Sequence, residues 1–87
     1  NMGWSTIKLN NNNLAKKYFK NIDFLDYYFA HSYACRLKNS TNEIASNKYG
    51  TEEYSCMIAK DNIIGIQFHP EKSGKSGLQL LKNIFTD

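Results

Sequence analysis

Cysteine is scarce in this 87-residue chain: there are two, Cys35 and Cys56. Two thiols are too few for a disulfide framework, and no second pair completes a metal site, so a reducing cytoplasm is the default expectation. Nothing approaches the roughly 18 consecutive apolar residues of a membrane-spanning helix, and the first residues lack the charged-then-apolar pattern of a secretory leader. A soluble chain without a membrane partner is expected. Charge of one sign is equally short: eleven Lys+Arg against eight Asp+Glu leave +3, and ten of those cations are lysines scattered along the chain. That distribution does not describe a nucleic-acid surface. These 87 residues by themselves are too few for a complete (β/α)₈ barrel or a two-domain enzyme, and one domain or part of one is expected. Internal repeats and low-complexity linkers are missing as well.

What is present wants burial. The chain is 41% hydrophobic, with one Trp, six Tyr and five Phe, which describes a packed interior rather than a disordered segment. A chain of this size buries only about 60–65% of its unfolded surface, so it calls for a partner or more polypeptide. Asn1 has no initiator Met before it and no leader-like run follows. The expectation is the back end of a longer chain; an exogenous residue ahead of a genuine start at Met2 is the alternative.

Along the chain, Trp4, Thr6 and Lys8 alternate with Ser5, Ile7 and Leu9, a strand pattern. Asn10 to Asn13 reads as a turn, followed by a short helix with Leu14, Tyr18 and Phe19 on one face and lysines on the other. Asp26 to Leu37 is long, aromatic and free of Gly and Pro, and reads as one or two strands. Glu43 to Tyr49 and Glu53 to Ala59 read as a strand pair joined around Gly50. Ile63 to Phe68, apolar on both faces, reads as a central strand. The final helix is predicted to recur on Leu78, Leu81 and Phe85, with Leu80 supporting Ile84.

The chemistry concentrates in Gln67-Phe68-His69-Pro70-Glu71-Lys72-Ser73, at the carboxyl end of the apolar strand, where open α/β sheets keep their reactive crevices. Residues i and i+2 of extended backbone share a side, and Pro70 fixes the intervening φ, so Glu71 can reach an imidazole nitrogen of His69. A carboxylate orienting a histidine is the second half of a catalytic triad. A surface His-Pro turn with a solvated Glu is the alternative reading of the same residues. No nucleophile accompanies the pair. An attacking thiol usually sits on a tight turn of the G-x-C-x-G kind, whereas Cys35 lies between Ala34 and Arg36 and Cys56 between Ser55 and Met57, inside strand patterns where Cys is a small buried hydrophobe. His31-Ser32-Tyr33 is a second polar cluster, which by itself fits ordinary strand chemistry. Trp4 reads as a core or edge aromatic, or as an interface anchor. Lys16, Lys17 and Lys20 read as a solvated helix face, with phosphate binding as the alternative.

Met2-Gly3-Trp4, Tyr28-Phe29-Ala30-His31-Ser32-Tyr33, Tyr49-Gly50, Ile64 through Ser73 and Gly77 through Asn83, in that order and spacing, resemble the carboxyl-terminal half of class I glutamine amidotransferases. Within the class they are most similar to the glutaminase branch of imidazole glycerol phosphate synthase. Asn1 and Ser5 depart from residues common in that branch, His and Asn respectively. The resemblance implies an α/β fold, with residues 1–87 forming the carboxyl-terminal portion of a single domain: antiparallel strands and a final helix added to a mixed sheet whose parallel part, with the nucleophile elbow, belongs to a missing amino-terminal half. It implies His69 as general base and acid and Glu71 as its orienting carboxylate, in a Cys-His-Glu triad. It assigns His31, Ser32 and Tyr33 to the glutamine substrate, and Trp4, Tyr28 and Lys72 to the surface facing a barrel-shaped cyclase subunit. No cofactor or metal is implied. An amidotransferase of a surface-sugar pathway and a catalytically dead docking module are the competing expectations.

Overall fold

A computed structural model of the chain describes residues 3–29, 43–49, 51–61 and 63–86. The alternating amino-terminal segment serves two sheets in succession. β1 (Gly3–Thr6) pairs antiparallel with β3 (Asp26–Phe29), placing Trp4 opposite Tyr28 and Ser5 opposite Tyr27. β2 (Lys8–Leu9) pairs antiparallel with β4 (Glu43–Tyr49). Ile7, buried at the crossing, keeps its N–H satisfied by the Leu25 carbonyl at 2.9 Å. The alternation therefore sets which side chains face inward, while the switch of partner divides one expected strand into two.

Asn12 starts α1 (Asn13–Tyr18): its side-chain oxygen accepts from the Ala15 N–H at 2.9 Å, and its amide donates to the Glu43 carbonyl at 3.0 Å. One side chain thus caps the helix and ties it to β4. The buried face of this segment is Ala15 and Phe19, four residues apart, whereas Leu14 is 40% exposed. The expected apolar face is rotated by one position because the cap fixes where the helix begins, and Phe19 then follows its last turn.

β4, β5 (Glu52–Lys60) and β6 (Ile63–Ile66) continue the antiparallel sheet in the order β2-β4-β5-β6. The expected strand pair is present; Gly50, its expected joint, lies outside the described residues. β6 differs from expectation. Among the described residues it is the outer strand, with Ile63 70% exposed. Apolar residues on both of its faces do not require a second strand neighbour within this segment.

The chain then crosses between sheets. The Gln67 N–H donates to the Cys56 carbonyl of β5 at 2.8 Å, and two residues later the His69 N–H donates to the Tyr28 carbonyl of β3 at 2.8 Å. Phe68, buried between these anchors, packs on Tyr27 (ring centroids 4.5 Å apart) and Phe29 (5.7 Å). Tyr27 is fully buried, stands edge-on to Phe19 at 6.2 Å, and donates its hydroxyl to the Ser76 carbonyl at 3.3 Å. This aromatic cluster ties the two-stranded sheet to both helices and to the segment that leaves β6.

A 3₁₀ turn (Pro70–Lys72) leads into α2 (Gly74–Phe85). Its inward stripe is Gly77, Leu80 and Ile84; Leu78 is 64% and Phe85 82% exposed. The predicted stripe of Leu78, Leu81 and Phe85 is thus displaced toward the Leu80–Ile84 pair. The cause is at Gly77: a Cβ there would lie 1.8 Å from the Pro70 carbonyl oxygen. Only the glycine face admits the backbone of the 3₁₀ turn.

Candidate active site

Pro70 is suited to the first position of a helical turn, because its missing N–H has no partner there and its φ is already set. His69 remains extended, with φ −105° and ψ 95°, and the 3₁₀ turn begins immediately after it. The Lys72 N–H closes back on the His69 carbonyl at 3.1 Å and the Ser73 N–H on the Pro70 carbonyl at 3.0 Å. Within that turn the Glu71 carboxylate meets His69 Nδ1 at 2.9 Å. The expected route to this contact was extended backbone; the actual route is a tight turn, because the proline that permits one initiates the other.

The side chain of His69 is 30% exposed and that of Glu71 57%. The hydrogen bond with His69 is the main reason the Glu71 carboxyl is held below its ordinary value, followed by a backbone hydrogen bond. An ionised Glu71 accepting from Nδ1–H selects the tautomer in which Nε2 carries the lone pair. The pair can therefore orient an imidazole for proton transfer at Nε2.

Tyr28 and Trp4 meet on the β1–β3 ribbon, their rings edge-on at 6.0 Å; Trp4 is 59% exposed and Tyr28 half-buried. Tyr28 also pairs with His69 as an antiparallel bridge, so the two candidate interface aromatics adjoin the histidine loop through its backbone. Lys72 is exposed in the 3₁₀ turn. His31, Ser32, Tyr33 and Cys35 lie outside the described residues.

Cys56 is 1% exposed in β5, and burial, reinforced by the nearby Glu43, pushes its thiol far up. Burial of this kind disfavours the thiolate, the nucleophilic form, in keeping with a strand-core role. Among the described residues, no three His, Cys, Asp or Glu side chains gather to hold a metal ion, and no helix is long and apolar enough to cross a membrane.

Ser73 is the residue that sequence reasoning missed. It is 3% exposed, and its hydroxyl accepts from the Tyr28 N–H at 3.0 Å and donates to the His69 carbonyl at 2.5 Å. Its place just before α2 marks it as a potential helix cap. That signal identifies the residue type but not its partners.

Comparison with known proteins bears on all 87 residues: the family model described as glutamine amidotransferase class-I matches residues 1–87. Among curated relatives, the imidazole glycerol phosphate synthase subunit HisH of Buchnera aphidicola subsp. Schizaphis graminum is 48% identical over 83 residues, 94% of this chain and 39% of that protein. The subunit of the same name from Shewanella oneidensis is 41% identical over 83 residues, covering 94% and 36% of the respective chains. That of Photorhabdus laumondii is 52% identical over 61 residues, covering 70% and 29%. The chain thus spans about 39% or less of the length of these relatives.

Proposed function

The chain belongs to the class-I glutamine amidotransferase family, and we propose that it supplies the histidine–glutamate half of the active site of a HisH-like glutaminase, in a protein whose other portion carries the nucleophilic thiol. The reading rests on one observation above the rest: His69 Nδ1 lies 2.9 Å from the Glu71 carboxylate, in a chain nearly half identical to a HisH subunit. Glu71 holds the imidazole, and Nε2 moves protons.

In the whole protein the thiolate attacks the side-chain carboxamide carbon of glutamine. The C–N bond breaks as His69 delivers a proton to the leaving nitrogen, and ammonia departs. Water, giving up a proton to His69, then cleaves the thioester to glutamate and regenerates the thiol. Each cycle consumes one glutamine and one water and releases one glutamate and one ammonia. His31, Ser32 and Tyr33 hold the amino-acid end of the substrate. Trp4, Tyr28 and Lys72 face a barrel-shaped cyclase that accepts the ammonia in histidine biosynthesis, in the cytoplasm. The exposed Trp4 against Tyr28, with Tyr28 bonded to the His69 backbone, supports placing the partner surface beside the site.

The test is glutamate release by the full-length protein in complex with its cyclase. His69→Ala is expected to lower turnover by at least about 10²-fold, the lower range for loss of a general acid–base. Turnover at the wild-type rate in that variant would reduce the His-Pro-Glu segment to a surface turn.

A further inference from the structure

We propose that Ser73 is a positioning residue for His69: its buried hydroxyl aims the imidazole by closing a hydrogen-bonded ring between the histidine loop and β3. The inference rests on the proposed role of His69 and adds to it the residue on which its orientation depends.

The observation is a diverted cap. A serine immediately before a helix ordinarily spends its oxygen on the first backbone N–H groups of that helix. Ser73 occupies that position before α2, yet its side chain makes no capping bond. The oxygen instead accepts from the Tyr28 N–H at 3.0 Å and donates to the His69 carbonyl at 2.5 Å. The His69 N–H donates to the Tyr28 carbonyl at 2.8 Å, so both main-chain polar groups of each residue belong to one closed ring with the hydroxyl as its keystone.

That ring restrains the torsion that matters. Pro70 follows His69 and fixes its own φ, so the His69 carbonyl direction is governed by the ψ of His69. The N–H bond to Tyr28 holds one side of the His69 Cα; on the other side the His69 carbonyl accepts from the Lys72 N–H at 3.1 Å within the turn and from the Ser73 hydroxyl at 2.5 Å, and only the hydroxyl links that carbonyl to β3, which sets the direction of the Cα–Cβ bond. Ser73 is itself held. Its N–H donates to the Pro70 carbonyl at 3.0 Å, its carbonyl accepts from the Gly77 N–H at 3.3 Å, and a Cβ at Gly77 would come within 2.9 Å of its own Cβ. Buried at 3% exposure and bonded on both sides to backbone, the hydroxyl acts through the main chain of His69.

The decisive comparison is Ser73→Thr against Ser73→Val in the full-length glutaminase–cyclase complex, with Ser73→Ala and His69→Ala alongside. Thr and Val add the same bulk, so a steric cost in the tight site is shared, and only Thr keeps the oxygen. Glutaminase kcat and KM for glutamine are measured together with the melting temperature. Expected is a kcat for Val about 10- to 100-fold below that for Thr, the order of loss from a misplaced catalytic group, with KM for glutamine within about threefold and Thr within about threefold of wild type. Equal kcat in Thr and Val, with His69→Ala inactive, overturns the positioning role and leaves the function of His69 standing. Full activity in His69→Ala overturns both. If Ser73→Ala fails to fold, the Thr–Val pair still decides.

Discussion

Glu71 is the residue whose ionisation most directly reports on the candidate site. Its carboxyl is lowered mainly by the bond to His69, so the native state favours the charged form more than the unfolded chain does. The sign follows: this contribution is fully present above the ordinary glutamate value, about 4.3, and is lost as pH falls through the lowered native value. In the full-length protein, wild type is therefore expected to exceed Glu71→Gln in melting temperature at neutral pH, with the gap narrowing in acid below that ordinary value; a gap that widens instead would contradict the pair. Under the proposed mechanism, turnover in Glu71→Gln should fall less than in His69→Ala, because orientation is reduced while the proposed proton carrier remains. Cys56 offers a separate test. Its burial and raised thiol value predict slow labelling by a thiol reagent in the native protein, with Cys56→Ala lowering stability more than rate. Rapid native labelling at Cys56 accompanied by loss of activity would make it a functional thiol.

Among the elements, α2 makes the sharpest demand on sequence. Replacing Gly77 by Ala should add about 1 kcal/mol of helix propensity, but the added methyl would meet the Pro70 carbonyl oxygen at 1.8 Å. Overpacking of this kind costs about 1–3 kcal/mol, and here the backbone of the histidine turn must give way. Chemical denaturation of Gly77→Ala should therefore show no stabilisation and a net loss of up to about 2 kcal/mol, accompanied by reduced glutaminase turnover; a stabilised and fully active variant would refute the close approach. The same contact explains what the sequence does and does not disclose about this helix. Period and length are legible from spaced apolar residues, but Leu78-Leu81-Phe85 and Gly77-Leu80-Ile84 are adjacent stripes on one cylinder. Hydrophobicity favours the first; the need to seat a backbone against the helix selects the second. In α1, similarly, the side chain of Asn12 decides the start, and with it the turn of Leu14 outward.

At the scale of the molecule, Trp4, Phe24, Ile63, Leu78 and Phe85 are more than half exposed among the described residues. Single exposed apolar residues are ordinary, yet Trp4 differs in standing edge-on to Tyr28, whose backbone is bonded to the His69 loop. If a cyclase covers this ribbon, Trp4→Ala should weaken its association by about 2 kcal/mol or more, in the range of an aromatic hot spot, while Lys72→Ala should raise the glutamine consumed per product formed more than it changes hydrolysis. Titration of the complex by calorimetry, together with that ratio, checks both; unchanged values would remove the ribbon from the interface. The isolated 87-residue chain should release no glutamate above a His69→Ala control, because a histidine and a carboxylate without a reactive thiol form no acyl intermediate. Glutamate release above that control would require a nucleophile within these residues.

The sequence by itself determined the inward and outward sides of the first strand, the β4–β5 pairing segments, the presence of a terminal helix and that Glu71 lies within reach of His69. Each follows from local rules: side chains alternate along a strand, a helix repeats every 3.6 residues, and a single intervening proline of fixed φ keeps its two neighbours within side-chain reach. The tertiary structure alone decided that Gly3–Leu9 divides between two sheets, that the pair forms across a 3₁₀ turn, and that Ser73 joins Tyr28 to His69 across 45 and 4 positions of chain. A hydroxyl can serve any donor or acceptor brought within reach, so its sequence neighbours do not specify its partner. Only the meeting of β3 with the histidine loop does.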